Sequence, residues 1–97
     1  MRQWVVHAWD GDDDEAQERR QATRPSHLDG VRELKRRGQF VIGGAMLDHE
    51  GRMIGSTMIV QFESEDELQA WLDREPYLLG RVWSRFEVHP FRVAEIE

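Results

Sequence analysis

Apolar and polar residues alternate with a period of two along several stretches of this chain and recur at helical intervals along two others. Residues 3–9, Gln-Trp-Val-Val-His-Ala-Trp, are β-branched and aromatic and stop at Asp10-Gly11, which predicts a first strand ending in a turn. The acidic run from Asp10 to Glu15 and the polar stretch from Ala16 to Thr23 read as a solvated helical turn or a loop. Pro25 suits the first turn of a helix, where its missing N–H is not needed. Leu28, Val31 and Leu34 then follow on one face, and Gly38 closes the helix. Phe40-Val41-Ile42, ahead of Gly43-Gly44, predicts a short buried strand. A hairpin connection over Asp48 to Gly51 leads into a long strand from about Met53 to Phe62, with Met58, Val60 and Phe62 on one face and Thr57, Ile59 and Gln61 on the other.

Ser64 followed three residues later by Glu67 has the capping-box form and opens a second helix, whose apolar stripe is Leu68, Trp71 and Leu72. Glu75-Pro76 ends it, because the residue before a proline avoids the α region. Tyr77 to Gly80 makes a short link, and the last strand runs from Val82 to about Val88, ahead of Pro90. The order is βαββαβ, an α+β fold in which two helices cover one face of a four-stranded antiparallel sheet. The first strand carries apolar residues on both faces, Trp4 and Val6 against Val5 and Trp9. The second face therefore needs a cover, and the same face of a second copy supplies one in a homodimer.

Composition narrows the function. Ninety-seven residues make one domain, 1–97, because a second unit would have too little interior of its own. Nineteen acids against 13 bases leave a net charge of −6, which repels phosphate backbones, so nucleic acid is not an expected partner. The densest basic cluster, Arg32 with Lys35 to Arg37, spreads around the outer face and last turn of a helix. With no cysteine there is no disulfide, thiol nucleophile or thiolate metal site, which fits a reducing cytoplasm. No apolar run approaches the roughly 18 residues of a membrane span, so no membrane association is expected. His7, His49 and His89 are scattered without a ligand-spaced pair, and Gly43-Gly44 leads into Ala45-Met46 rather than a phosphate-binding loop. Neither a metal nor a cofactor is expected.

Of the titratable residues, His27 stands out. With Pro25 as the first helical residue it lies in the first turn, where the positive helix end favours a neutral ring able to act as a base. The plain structural role for such a histidine is a bond to nearby backbone. A histidine base needs a carboxylate to fix its tautomer, and two compete. Asp10 is preferred, because a strand end and a helix start can meet at one edge of the layer. Glu75 requires the second helix to deliver its last turn there. Arg24 suits a bidentate hold on an anionic substrate, or pairing with the acidic run. Ser56, after Gly55, can donate into a cleft, and no nucleophile elbow surrounds it.

Several short elements then act together: Ala8-Trp9-Asp10, Arg24-Pro25-Ser26-His27-Leu28, Gly43-Gly44, Gly55-Ser56, Glu75-Pro76-Tyr77 and Val88-His89-Pro90-Phe91. At these separations they resemble the YciI-like (YCII-related domain) family along nearly the whole chain. The resemblance implies a ferredoxin-like fold, a dimeric α/β barrel and a cleft at the family's histidine, which falls on His27. Glu75 stands where the family usually has aspartate in an Asp-Pro-Tyr element, one methylene longer. The architecture is similar to that of muconolactone isomerases. The expected function is a cofactor-free acid–base enzyme, of isomerase, lyase or dehydrohalogenase type, acting on a small cyclic or aromatic-derived acid. His27, Asp10 and Glu75 form the expected catalytic set, and Arg24, Ser56 and Tyr77 the substrate-binding set. The alternative is a non-catalytic dimeric module that binds a small ligand or partner in the same cleft.

Overall fold

In the computed structural model, which describes residues 1–96, the alternating stretches form strands and the helically spaced ones form helices. Strand β1 spans Arg2–Asp10, helix α1 Ala16–Arg36, β2 Phe40–Leu47, β3 Met53–Phe62, α2 Glu65–Arg74, the short α3 Pro76–Leu79, and β4 Trp83–Phe91. Among the described residues the four strands make one antiparallel sheet in the order β2-β3-β1-β4, the ferredoxin-like arrangement expected of βαββαβ. Period two sorts the faces: β1 buries Trp4, Val6 and Ala8, and these pair in register with Val60, Met58 and Ser56 of β3. Leu34 of α1, Leu68, Trp71 and Leu72 of α2, and Tyr77 of α3 close over this face with Val82 and Trp83. Each large apolar side chain so buried contributes about 1.5–3 kcal/mol. The opposite face holds Val5, His7, Trp9, Thr57 and Ile59, all half-buried.

The turn at Asp48–Gly51 forms as expected: Asp48 Oδ1 accepts from the Glu50 and Arg52 amides, and Gly51 takes φ +82°. Ser64 caps α2 by accepting from the Glu67 amide at 3.3 Å. The reciprocal half of the box is offset, since the Glu67 carboxylate accepts from the Glu63 amide instead of that of Ser64. Other differences have physical causes. The first helix begins at Ala16, not at Pro25, and Pro25 lies in its interior. There the proline ring has no N–H for the Gln21 carbonyl, a defect worth about 3 kcal/mol. Burial of Ala16 and Arg20 at the front of α1 holds the helix together across it. Strand β2 continues through Gly43-Gly44, because Met58 and Thr57 of β3 pair with them. Strand β4 runs past Pro90, which an edge strand tolerates. Among the described residues, no helix is long and apolar enough to cross a membrane.

Candidate functional site

Arg20, His27 and Leu34 recur at seven-residue intervals, so they share one stripe of α1, and all three are buried. Leu34 anchors the helix in the core, which sets the other two against the sheet and α3. Pro76 acts from the other side. It holds Glu75 extended, with ψ 119°, which ends α2 and makes Glu75 the N-cap of α3. Glu75 Oε1 there accepts from the Tyr77 amide at 3.2 Å and from His27 Nδ1 at 2.5 Å. The two side chains of this pair are 10% and 1% exposed, so water competes little for either. The Tyr77 ring stacks on the imidazole, with centroids 3.9 Å apart and planes 11° from parallel, and Trp83 meets it edge-on. With Nδ1 committed to the carboxylate, Nε2 is left as the ring's lone-pair nitrogen.

Asp10 does not serve His27. Its carboxylate accepts from Arg20 Nη1 at 2.9 Å through both oxygens, with the two side chains 3% and 2% exposed. A helix starting at Pro25 would leave residue 20 in the polar stretch before it, whereas α1 from Ala16 puts Arg20 on the buried stripe. The strand end does meet α1, but it meets the turn carrying residue 20, one stripe position before His27. His27 itself sits in the helix interior, so the positive helix end is not part of its surroundings. Burial pushes the Asp10 carboxyl up from its ordinary value, outweighing the bond and charge of Arg20 that draw it down. Arg20 Nη2 goes on to donate to Ser56 Oγ at 3.0 Å, and Trp83 Nε1 donates to the same oxygen at 3.2 Å. The Arg20 guanidinium also lies 4.8 Å over the Tyr77 ring. Burial raises the Tyr77 hydroxyl above its usual range.

A cavity of about 90 Å³ opens between α1, β2 and β3. Arg20, Arg24, His27, Ser56 and Tyr77 supply its polar wall, and Leu28, Val31, Phe40 and Met58 its apolar one. Arg24 is half-buried and, among the described residues, has no carboxylate partner, so of the two roles open to it the pairing with the acidic run does not form. Asp13 of that run is taken by Arg19. Gly55 answers to backbone crowding, because a Cβ there would strike the Ala8 carbonyl. Thus His27, Arg24, Ser56 and Tyr77 line one cavity with Glu75 behind the imidazole, whereas Asp10 stands behind Arg20. The seven-residue spacing from Leu34 through His27 is the signal that reaches Arg20.

A four-stranded antiparallel sheet with helices on one face, holding a buried histidine–carboxylate pair beside a small cavity, defines an α+β protein of ferredoxin-like fold with a site of small-molecule size. The chain belongs to the YCII-related domain family, which matches residues 3–92. It is 33% identical over 95 residues to "Protein YciI" of Escherichia coli O6:H1, covering 92% of this chain and 95% of that protein. Among solved structures it is similar to 5-chloro-2-hydroxyhydroquinone dehydrochlorinase from Burkholderia phenoliruptrix AC1100, in complex with 2,5-dihydroxybenzoquinone. That likeness has a TM-score of 0.80 at 21% identity and covers 95% of each chain. An antibiotic biosynthesis monooxygenase is similar at a TM-score of 0.58 and 11% identity, over 98% of this chain and 100% of that one. At these identities the structural likenesses establish the fold.

Proposed function

We propose that this protein is a cofactor-free acid–base enzyme in which His27 moves a proton on a small cyclic or aromatic-derived acid. The observation that carries this reading is the buried 2.5 Å bond from His27 Nδ1 to Glu75 Oε1, on a histidine that lines the cavity. Glu75 holds the tautomer in which Nε2 is the base, and its charge stabilises the imidazolium formed when Nε2 takes a proton. Arg24 supplies a cation for the acidic group of the substrate. About 90 Å³ is well below the roughly 300 Å³ at which drug-sized pockets begin, which restricts the substrate to one small molecule. The similar dehydrochlorinase acts on a hydroxylated six-membered ring, which supports a substrate of that kind here. Loss of a proton and a chloride, isomerisation and elimination all begin with the same abstraction, so one base serves each type.

The whole chain acts as one domain and works as a cytoplasmic homodimer. The sheet face bearing Val5 and Ile59 lies away from the helices, and Ile42 beside it is 62% exposed, which supports pairing with a second copy. Turnover is tested with two probes: chloride release from 5-chloro-2-hydroxyhydroquinone, and deuterium uptake from heavy water by cyclohexane-1,2-dione. His27→Gln should lower either rate by about 100-fold or more while the circular dichroism spectrum stays the same. Rates equal in wild type and His27→Gln would remove the proposal. Binding of both probes without turnover would leave a ligand-binding module in its place.

A further inference from the structure

The hydrogen bonds around Ser56 determine where its own proton goes. A hydroxyl oxygen has two lone pairs and one hydrogen. Both lone pairs of Ser56 Oγ are taken, one by Arg20 Nη2 at 3.0 Å and the other by Trp83 Nε1 at 3.2 Å. Among the described residues no acceptor receives the Ser56 hydrogen, and Ser56 lines the cavity. Donation from a guanidinium and an indole polarises the hydroxyl, which makes it a stronger donor in turn. Tyr77 lines the same cavity, and its Oη, which is buried, has no partner among the described residues. A buried polar group left unpaired costs roughly 1–3 kcal/mol, so these two hydroxyls mark where a ligand atom belongs.

We infer that Ser56 and Tyr77 form a pair of donors for one oxygen of the substrate, and that the substrate is therefore an enolisable cyclic ketone or a phenol, whose oxygen becomes an oxyanion when His27 acts. The inference rests on the acid–base reading above and names its substrate class. In the ketone case His27 Nε2 takes the proton from the carbon beside the carbonyl. The C–H electron pair forms the new C=C bond, the C=O π pair moves onto oxygen, and the two hydroxyls hold the resulting enolate. Returning the proton to a different carbon completes an isomerisation, and loss of a leaving group from the enolate completes an elimination. Arg20 and Trp83 are positioning residues that act through Ser56. Asp10 offsets the charge of Arg20, so Arg20 remains a donor to Ser56 and Arg24 remains the cation nearer an acidic substituent.

The probe is 4-nitrophenol, whose yellow anion and colourless neutral form are separated by visible absorbance. The full-length protein is titrated with it at a pH where the free probe is mostly neutral. Wild type should bind it as the phenolate, shifting the apparent ionisation of the probe toward acid. Ser56→Ala and Tyr77→Phe should each weaken phenolate binding about tenfold, and Trp83→Phe should reduce the acid shift of the bound probe. Tyr77 Oη has no partner to lose, so Tyr77→Phe carries the test even where Ser56→Ala unfolds the network. Wild type that leaves the probe neutral or unbound overturns the inference, as does a phenolate shift unchanged in both hydroxyl variants. In either case His27→Gln in the exchange assay still reports on the acid–base reading separately. A phenolate shift that depends on Ser56 and Tyr77, with exchange indifferent to His27, would retain the donor pair and remove the base.

Discussion

Replacing Arg20 by methionine tests the electrostatic frame behind the site. The substitution keeps an unbranched apolar stem but removes two bonds to the Asp10 carboxylate and one to Ser56. Ser56 keeps the Trp83 indole as a donor, so the larger loss falls on Asp10, whose side chain is only 2% exposed. Removing one partner of a buried ion pair costs about 3–5 kcal/mol, chiefly because the other charge stays buried without compensation. That is a large share of the roughly 5–15 kcal/mol that stabilises a typical domain. Urea unfolding followed by tryptophan fluorescence, at fixed protein concentration, reads it directly. With a slope of about 1–3 kcal/mol per molar, the midpoint should fall by about 1 M or more. The deficit should also depend on pH in a definite sense. Burial already raises the Asp10 carboxyl, and without Arg20 it rises further. A carboxyl with a raised folded pKa destabilises once ionised, so the deficit is full above that pKa and shrinks as pH falls through it and Asp10 protonates. Asp10→Asn in the Arg20→Met background should restore part of the loss, the signature of coupling between the two. A deficit under about 1 kcal/mol at pH 8, or one of equal size in acid, would refute the reasoning.

Ser64→Ala should cost about 1 kcal/mol by leaving the Glu67 amide without its acceptor, and an unchanged denaturation midpoint would show that the cap contributes nothing. Asp13 is held down to about 2 by the Arg19 guanidinium bonded to it, so its side-chain NMR signals should titrate near that pH. The stability it adds is then present above the ordinary aspartate range and lost only as pH falls toward that value. A titration midpoint near 4 would show that the pair does not persist in solution. Ile42→Glu places a charge on the uncovered side of the sheet, and light scattering should report a shift from dimer to monomer. An unchanged mass would move the dimer contact elsewhere.

The element order and the sheet faces were legible because each rests on local rules, whereas the cleft at His27 and the place of Tyr77 in it came from the family resemblance. Period two fixed which side of β1 and β3 is buried, and Pro76 both ended α2 and set Glu75 as the N-cap that reaches His27. What local rules could not weigh was tertiary burial. Pro25 is a strong start signal, yet the Arg20–Asp10 pair and the buried Ala16 extend the helix in front of it. That misplaced start carried the partner choice with it: reading His27 as a first-turn residue favoured Asp10, whereas seven-residue spacing through the longer helix gives Asp10 to Arg20. Strand β2 is longer than the Phe40–Ile42 expected for a similar reason, since glycine weakens a strand locally while pairing with β3 carries it on to Leu47.

In the proposed mechanism Glu75 fixes His27 as a base, with its proton on Nδ1 and its lone pair on Nε2. Nitrogen-15 NMR of the imidazole rings measures this tautomer without any knowledge of the substrate. Wild-type protein with a neutral ring should show His27 protonated at Nδ1, with that hydrogen protected from exchange, and Glu75→Gln should lose the preference. An Nε2–H tautomer, or a mixture of tautomers unaffected by Glu75→Gln, would contradict the account.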